Sequence, residues 1–392
     1  MLGSGWAFSL DAAVTANCSS ATLRKGSHQT VSFSGTLCPA PAVFPATLVP
    51  QTGNFDKLVR VADGFEYTPK GTRETYRFTV QDEDGAWLLQ EVTDANGNAL
   101  TIVRNPDFTI ASVADAAGRT ATFDYDADKR CVAIHLPGGT QALFVYASGD
   151  LVRVTDPAGV VTQYVYDVSH YLVSMTAGGK TASFVYDGVD KGALASLTDA
   201  GGNVVTYSRN SSTNAITRTG AGNRSTVYLS ENSRTTRVTD PLSLVTSTTY
   251  FANGLPKRLT EPGNVLTDYV FDASANLTSL TRSSGGLSQS WSMTYDGDGN
   301  LLTVTDPLSR IWAYSYDAAG NPLTAATPMG LQTSFVYDGK GQPLTVTLPG
   351  GRVWSYAYDA QGNPVSRTDP LARVTAFGYD AVGNLTLARD PR

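Results

Sequence analysis

The chain is poor in cysteine, in histidine and in charge, and each shortage excludes a class of protein. It has three Cys and three His in 392 residues, so neither a disulfide-dense scaffold nor a Cys- and His-ligated metal centre is indicated. Charged residues make up only 16% of the chain, and its net charge is −6. Because phosphate binding needs clustered Lys and Arg, this composition argues against a nucleic-acid partner.

Long apolar segments are also missing. No run of about 18 apolar residues occurs, so no transmembrane span is expected. The opening residues Met1-Leu2-Gly3-Ser4-Gly5-Trp6 have neither a basic region nor an apolar core, and therefore do not form a signal peptide.

The few reactive side chains do not group into a site. Cys18 and Cys38 lie in the same N-terminal segment and can form a disulfide, whereas Cys131 is expected to be a small strand residue without chemistry. The three His, His28, His135 and His170, are scattered and have no Glu or Cys at metal-ligand spacing. We therefore expect no metal and no cofactor.

What the chain does contain is a repeat. Tyr-Asp recurs every 21 residues, at Tyr295-Asp296, Tyr316-Asp317, Tyr337-Asp338, Tyr358-Asp359 and Tyr379-Asp380. Four equal intervals indicate a tandem array of one structural unit. The same phase extends backwards with steps of 20 to 24 residues, through aromatic residues at 125, 146, 166, 186, 207, 228, 250 and 271. Tyr125, Tyr166 and Tyr186 mark the earlier units in which Asp follows a tyrosine.

One unit predicts two strands and two turns. Around Tyr316, large residues alternate with small ones in the period of two that is typical of a strand. Asp317 to Asn321 then predicts a hairpin loop, because an Asp carboxylate can accept backbone N–H bonds two residues on and Gly320 can take positive φ. Asp306-Pro307 predicts the other connection, a type I turn.

An apolar Val or Leu follows six of the thirteen repeated aromatic residues by seven positions. These residues are Val132, Val173, Leu302, Leu323, Leu344 and Val365. Thr386 breaks the pattern, which predicts a last loop that is one residue shorter.

The repeat predicts an all-β protein. We expect tandem β-hairpins in one continuous antiparallel sheet, with an irregular N-terminal β segment over 1–63 and the repeat ribbon over 64–392, cut off within a repeat. Thirteen units give about 26 strands, and twisted open sheets rarely exceed about ten strands without curling or closing. The sheet is therefore expected to coil, as a spiral or a partial shell.

The repeated carboxylates are interpreted as turn caps. They occupy one structural place in each unit, which favours a structural role over acid–base catalysis and predicts that the chain is not an enzyme. Oxygen-rich loops such as Asp296 to Asn300 suggest calcium as an alternative, but they lack the trailing Glu of an EF-hand loop.

Trp291, Trp312 and Trp354 also fall in phase, one and then two repeat lengths apart. If they are exposed, they can stack on sugar rings. If they belong to the aromatic face, they pack across strands, and we favour this packing interpretation.

The repeated Tyr-Asp occurs with Gly-Asn at Gly299-Asn300, Gly320-Asn321, Gly362-Asn363 and Gly383-Asn384, and with Asp-Pro at Asp156-Pro157, Asp240-Pro241, Asp306-Pro307 and Asp369-Pro370. This combination, over about 64–392, resembles the Rhs or YD-repeat proteins: bacterial polymorphic toxins, C components of insecticidal toxin complexes, wall-associated proteins and teneurins. The resemblance implies a hollow β shell, which in the toxins encloses a cytotoxic C-terminal domain. No segment resembles that domain or the complete self-cleaving core. Asp156-Pro157-Ala158-Gly159 resembles part of the core motif, but it lies at an ordinary turn position, so we do not assign it autoproteolysis.

Two functional hypotheses follow. The first is a non-enzymatic scaffold, part of a secreted or cell-surface bacterial shell whose partner is a C-terminal or separate protein cargo. The alternative is a carbohydrate-binding or adhesive module for cell-surface glycans, or an extracellular filament subunit that self-associates through an open sheet edge.

Overall fold

The computed structural model describes residues 10–25, 29–37, 44–188 and 192–390, and these residues form β-strands joined by turns. The strands are β1 (Ala13–Ala16), β2 (Ser20–Arg24), β3 (Thr30–Ser34), β4 (Ala46–Pro50), β5 (Lys57–Val61), β6 (Gly64–Thr68), β7 (Thr75–Gln81), β8 (Trp87–Thr93), β9 (Ala99–Arg104), β10 (Ile110–Ala114), β11 (Thr120–Tyr125), β12 (Cys131–His135), β13 (Gln141–Ala147), β14 (Asp150–Thr155), β15 (Val161–Tyr166), β16 (Leu172–Ala177), β17 (Lys180–Tyr186), β18 (Leu194–Thr198), β19 (Val204–Asn210), β20 (Ala215–Gly220), β21 (Arg224–Glu231), β22 (Arg234–Thr239), β23 (Val245–Tyr250), β24 (Pro256–Glu261), β25 (Val265–Phe271), β26 (Leu277–Ser284), β27 (Leu287–Tyr295), β28 (Leu301–Thr305), β29 (Ile311–Tyr316), β30 (Pro322–Ala326), β31 (Gln332–Tyr337), β32 (Pro343–Leu348), β33 (Arg352–Tyr358), β34 (Pro364–Thr368), β35 (Val374–Tyr379) and β36 (Leu385–Arg389). A 3-10 turn at Ala221–Asn223 is the one helical element of the described residues.

The 36 strands belong to one sheet, in which consecutive strands pair antiparallel along the chain. In β29 and β30, for example, Ala313 pairs with Ala326 and Ser315 with Thr324. Short turns between alternating segments favour this meander, because antiparallel neighbours need only a tight connection. The predicted all-β class and the continuous antiparallel sheet are confirmed.

The first eight strands close into a ring. Strand β1 pairs with β2 on one side and with the start of β8 on the other, where Val14 lies opposite Trp87. The end of β8 pairs instead with β9, so the ribbon continues from the ring. The ring lies on both sides of residue 63, and the division of the chain into 1–63 and 64–392 stays a prediction.

The buried core is concentrated in this ring. Its fully buried side chains are Val14, Leu23, Phe33, Leu58, Phe65, Phe78 and Leu89. Most repeat strands are instead half-buried or exposed. The N-terminal segment, which has the least regular sequence, therefore has the best-packed apolar interior in the described part of the chain.

The chain divides into two compact units. Of the described residues, those within Phe123–Phe271 and Leu277–Ser290 form one unit. Those within 10–122, 272–276 and 291–390 form the other. The second unit thus contains both the N-terminal ring and the tidiest repeats, and we call it the closure unit.

Seven of the repeated tyrosines are the last residue of their strand and lie beside a β-bulge. Ser315 pairs with Thr324 but Tyr316 pairs with Pro322, so Leu323 is the extra residue. The same shift occurs at Tyr166, Tyr186, Tyr295, Tyr337, Tyr358 and Tyr379. The apolar residue seven positions after the aromatic one is the bulged residue in five of these units, at Val173, Leu302, Leu323, Leu344 and Val365. At Tyr186 the bulged residue is Ala195. A bulge increases the local twist.

The prediction of a shorter last loop is wrong. Thr386 occupies the same bulge, and the Asp380 amide bonds to the Asn384 carbonyl at 3.0 Å, as in the other units. The Thr at this place is a substitution within an unchanged loop.

Candidate functional site: a seam in the closure unit

The repeat turn is built around one carboxylate. Asp317 Oδ1 accepts hydrogen bonds from the backbone amides of Ala319 and Asn321, both at 2.9 Å, and the Asn321 side chain donates to Oδ2 at 2.5 Å. The residue before Asn321 is Gly320, whose φ of 84° lies in the left-handed region. Asp126, Asp167, Asp296, Asp338, Asp359 and Asp380 cap their loops through the same backbone bonds. The predicted turn-capping role is confirmed for these residues.

These bonds keep the carboxylates ionised. The Asn363 side-chain amide, with backbone amides, holds the pKa of Asp359 below its usual value, and Asn384 does the same for Asp380. In the Asp-Pro turn the Arg310 guanidinium lowers the pKa of Asp306. A carboxylate that accepts several N–H bonds is a poor proton acceptor at neutral pH, so these groups are unsuited to general-base chemistry.

In the closure unit, loops of the N-terminal strands lie against the turns of the last repeats. We call this line of contacts the seam. At one point the Lys70 ammonium donates to the carbonyl oxygen of Asp298 at 2.7 Å and lies 4.4 Å from the centre of the Phe55 ring. The ring itself lies against Gly299, where it takes the space that a Cβ would need.

Further along the seam, the Arg73 guanidinium lies against Gly341 in the same way. Arg73 also interacts electrostatically with the carboxylate of Asp317, one unit earlier. Arg73 therefore spans two successive repeat turns.

The next contacts involve the loop between β8 and β9. The Asn98 side chain donates to the Gln361 carbonyl at 2.8 Å, and the Asn96 amide lies against Gly362. Asn96 Oδ1 is buried and accepts no hydrogen bond from any described residue. Arg119, in the loop after β10, interacts electrostatically with Asp380. The seam contacts thus advance in the same direction along both stretches of chain.

A cavity of about 1010 Å³ lies along the seam. Its apolar lining includes Leu100, Val365 and Phe377, and its charged lining comprises Glu74, Asp94, Asp115, Asp359, Asp380 and Arg119. Asp94 and Asp115 cap their own loops like the repeat aspartates. Burial, together with a bond to Glu74, raises the pKa of Tyr76 to about 12. The cavity holds no free base and nucleophile pair among these groups.

Comparison with protein families decides the class of the repeat. The RHS repeat family model matches residues 146–182, 295–333, 337–374 and 358–392. The chain carries RHS repeats. The matched segments include the seam glycines Gly299, Gly341 and Gly362 and the repeated tyrosines from Tyr295 onward. The resemblance to the Rhs or YD-repeat family is confirmed. No curated protein sequence is significantly similar to the chain.

Comparison with solved structures shows one chain that shares this fold. A chain of the crystal structure of TcdB2-TccC3-Cdc42 has a TM-score of 0.51 and 13% sequence identity, over 93% of this chain and 21% of that one. A chain of the TcdB2-TccC3 crystal structure has a TM-score of 0.48 and 13% identity, over 95% of this chain and 22% of that one. The protein thus spans about a fifth of the length of these solved chains. At such identities the first likeness shows the fold alone.

The RHS-repeat tyrosines predicted from the sequence share one structural place. Tyr125, Tyr166, Tyr186, Tyr295, Tyr316, Tyr337, Tyr358 and Tyr379 each end a strand. Several anchor their hydroxyl on the preceding strand: Tyr186 donates to the Leu172 carbonyl at 2.9 Å and Tyr358 to the Pro343 carbonyl at 3.0 Å. This bond gives Tyr a structural advantage over Phe in those units.

The three in-phase tryptophans are half-buried. The Arg310 guanidinium lies 5.9 Å from the Trp312 ring centre, and the Arg367 guanidinium lies 5.2 Å from that of Trp354. Cation–π contacts of this kind use ring faces that sugar stacking would need. Glycan stacking on Trp291, Trp312 and Trp354 stays a prediction.

The other predicted residues are not among the seam residues. Cys18 is disulfide-bonded, but its predicted partner Cys38 lies outside the described residues, so the pairing stays a prediction. Cys131 is free and buried. His135 contacts Asp124 at 2.7 Å and His170 contacts Asp150 at 2.8 Å. Across residues 10–25, 29–37, 44–188 and 192–390, no three acidic, His or Cys side chains form a metal-binding group. Within the same ranges no helix is long and apolar enough to cross a membrane.

Sequence reasoning missed the seam residues. These residues precede the regular repeats or lie in their first loop: Phe55, Lys70, Arg73, Asn96 and Asn98. In the two hydrogen bonds across the seam, the donor and the acceptor are 228 and 263 residues apart in sequence. The one available sequence signal was the row of turn glycines at 21-residue intervals. Their second role, as contact points for side chains of the N-terminal loops, is visible only in the structure.

Proposed function

We propose that this chain is a non-enzymatic structural scaffold, a stretch of RHS-repeat wall that encloses or displays another protein. One observation carries the proposal: in the closure unit, N-terminal strands and the last repeats lie side by side along the seam, although they are far apart in sequence. A ribbon held against itself in this way makes a wall that is wider than one hairpin.

The chemistry of the site supports a structural role. The recurring carboxylates are used for capping turns, and the charged groups that line the seam cavity include no paired base and nucleophile. The fold is shared with a chain of the TcdB2-TccC3-Cdc42 structure, in which other proteins are present. By analogy with that assembly, we infer that the partner is a protein cargo and that the protein acts outside the cytoplasm or at the cell surface.

A tethered reporter tests this function. A flexible, protease-sensitive peptide is fused after Arg392, and its cleavage is compared with that of the same peptide fused to an unrelated stable carrier. A wall that encloses or covers what is attached to it slows cleavage several-fold. Equal cleavage rates on the two carriers would count against a scaffold that shelters its partner.

A further inference from the structure

The turn glycines of the RHS repeats are not equivalent, although they share one turn position. Gly299, Gly320, Gly341, Gly362 and Gly383 follow one another at 21-residue intervals and have φ between 72° and 92°. A Cβ would meet Phe55 at Gly299, Arg73 at Gly341 and Asn96 at Gly362. At Gly320 the nearest atom is Asn300 Oδ1 at 4.0 Å, and at Gly383 no atom lies within 4 Å.

We propose that the turn edge of the RHS repeats is a recognition surface for a second ribbon edge. Gly299, Gly341 and Gly362 are its seats, each of which receives one side chain from a loop of the N-terminal strands. The partner of such an edge is a loop row that presents one projecting side chain for each seat.

The chemistry of the inserted side chains shows what a seat recognises. A phenyl ring, a guanidinium and an amide have no common charge or hydrogen-bonding pattern. What the three seats share is the space left by the missing Cβ. At two of them, Gly299 and Gly362, the backbone carbonyl just before the glycine also accepts a seam hydrogen bond. That carbonyl accepts from Lys70 at Asp298 and from Asn98 at Gln361. Insertion therefore depends on the shape of the space above the glycine, and the carbonyl bonds of Lys70 and Asn98 add to it at two of the three seats.

The seam and the sheet are held by different forces. Strands β31 and β32 are joined by a ladder that pairs Ser334 with Thr347 and Val336 with Thr345. The hydrogen bonds across the seam are instead donated by the side chains of Lys70 and Asn98. The hydrogen bonds of a ladder are lost only when the paired strands separate, whereas side-chain contacts can be lost one by one. We infer that the seam opens while the repeats on both sides stay folded.

Asparagine substitutions separate seating from backbone strain. Asn tolerates the left-handed conformation, and Asn214 and Asn264 adopt φ of 58° in turns of this chain. Gly341→Asn therefore fills a seat at a smaller backbone cost than most other side chains would have, and Gly320→Asn is the matched control, with a similar φ but without a seated side chain. Hydrogen exchange followed by mass spectrometry is measured on the full chain.

The expected result is faster exchange, by several-fold, in the loop over 69–74 of Gly341→Asn, with protection retained in β31 and β32. Gly320→Asn leaves both regions unchanged. In an Arg73→Ser background the seat is empty, so Gly341→Asn and Gly320→Asn become equivalent. Arg73→Ser alone also speeds exchange at the seam, which keeps the test valid if Gly341→Asn does not fold.

Three outcomes would overturn the inference. Equal effects of Gly341→Asn and Gly320→Asn would show that only the backbone conformation matters. Simultaneous loss of protection in the loop and in β31 and β32 would show that seam and sheet are one cooperative unit. No change in either Gly341→Asn or Arg73→Ser would show that the seat contributes nothing. None of these outcomes depends on what the scaffold encloses, so they are distinct from failure of the proposed function.

Discussion

The side chain of Asn98 donates one hydrogen bond to Asp94 within its own turn and another, at 2.8 Å, to the carbonyl of Gln361, 263 residues later. One amide thus fixes a local loop and a distant repeat turn. Asn321 occupies the same place in its own loop but donates only to Asp317 among the described residues.

This pair of asparagines measures the seam bond. Asn98→Ala removes both the loop bond and the seam bond, whereas Asn321→Ala removes only the loop bond. Since a hydrogen bond contributes about 1 kcal/mol net, we expect Asn98→Ala to lower the free energy of unfolding by about 1 kcal/mol more than Asn321→Ala. Denaturant melts of the two variants check this, and equal losses would mean that the Gln361 contact is energetically silent.

The tyrosine hydroxyl offers a second matched pair. Tyr358 donates to the Pro343 carbonyl at 3.0 Å, while the Tyr316 hydroxyl makes no hydrogen bond within the described part of the chain. Tyr358→Phe should therefore cost roughly 0.5–1.5 kcal/mol of unfolding free energy, and Tyr316→Phe should be close to neutral. Thermal melts of both variants give the comparison. A larger loss for Tyr316→Phe would show that the hydroxyl bond is not what favours Tyr.

The turn carboxylate should be the most sensitive position of a repeat. Asp317→Ala leaves the amides of Ala319 and Asn321 without their acceptor, which should lower stability by roughly 1–3 kcal/mol. Asp317→Asn retains an acceptor oxygen and should lose less than half as much. Chemical denaturation distinguishes the two, and a tolerated Asp317→Ala would refute the turn-capping role.

The same carboxylates predict loss of stability in acid. Amide donors hold the pKa of Asp272, Asp359 and Asp380 below the unfolded value, so the folded state binds fewer protons than the unfolded state. Their contribution is present above the unfolded aspartate pKa of about 3.9 and is lost as pH falls through the lower folded values. The melting temperature should therefore be flat from pH 7 to about pH 5 and fall below about pH 4. A melting temperature that is constant or rises on acidification would contradict this linkage.

How far the sequence predicts this molecule depends on the range of each interaction. The residues that form the Asp317 turn occupy five consecutive positions, so its geometry follows from local chemistry. The bulge at Leu323 was visible only as an apolar position, because its extra residue appears when two strands are paired.

Long-range pairings were out of reach. Nothing near Val14 indicates that it lies opposite Trp87, and nothing near Arg73 indicates Gly341. Such contacts depend on how the ribbon returns on itself, and this path accumulates the twist of many strands. The seam therefore had to be found in three dimensions, although the glycine spacing that provides its seats could be read directly.

The most direct test of the account is a zero-length carbodiimide cross-link between Lys70 and an aspartate of the 296–300 loop in the full monomeric chain. Lys70 lies 2.7 Å from the Asp298 carbonyl, and the Lys25–Asp56 ion pair at 3.8 Å is the internal positive control. The account predicts that peptide mapping by mass spectrometry finds both cross-links within one chain. Recovery of the Lys25–Asp56 product without any product from Lys70 to this loop would contradict the seam.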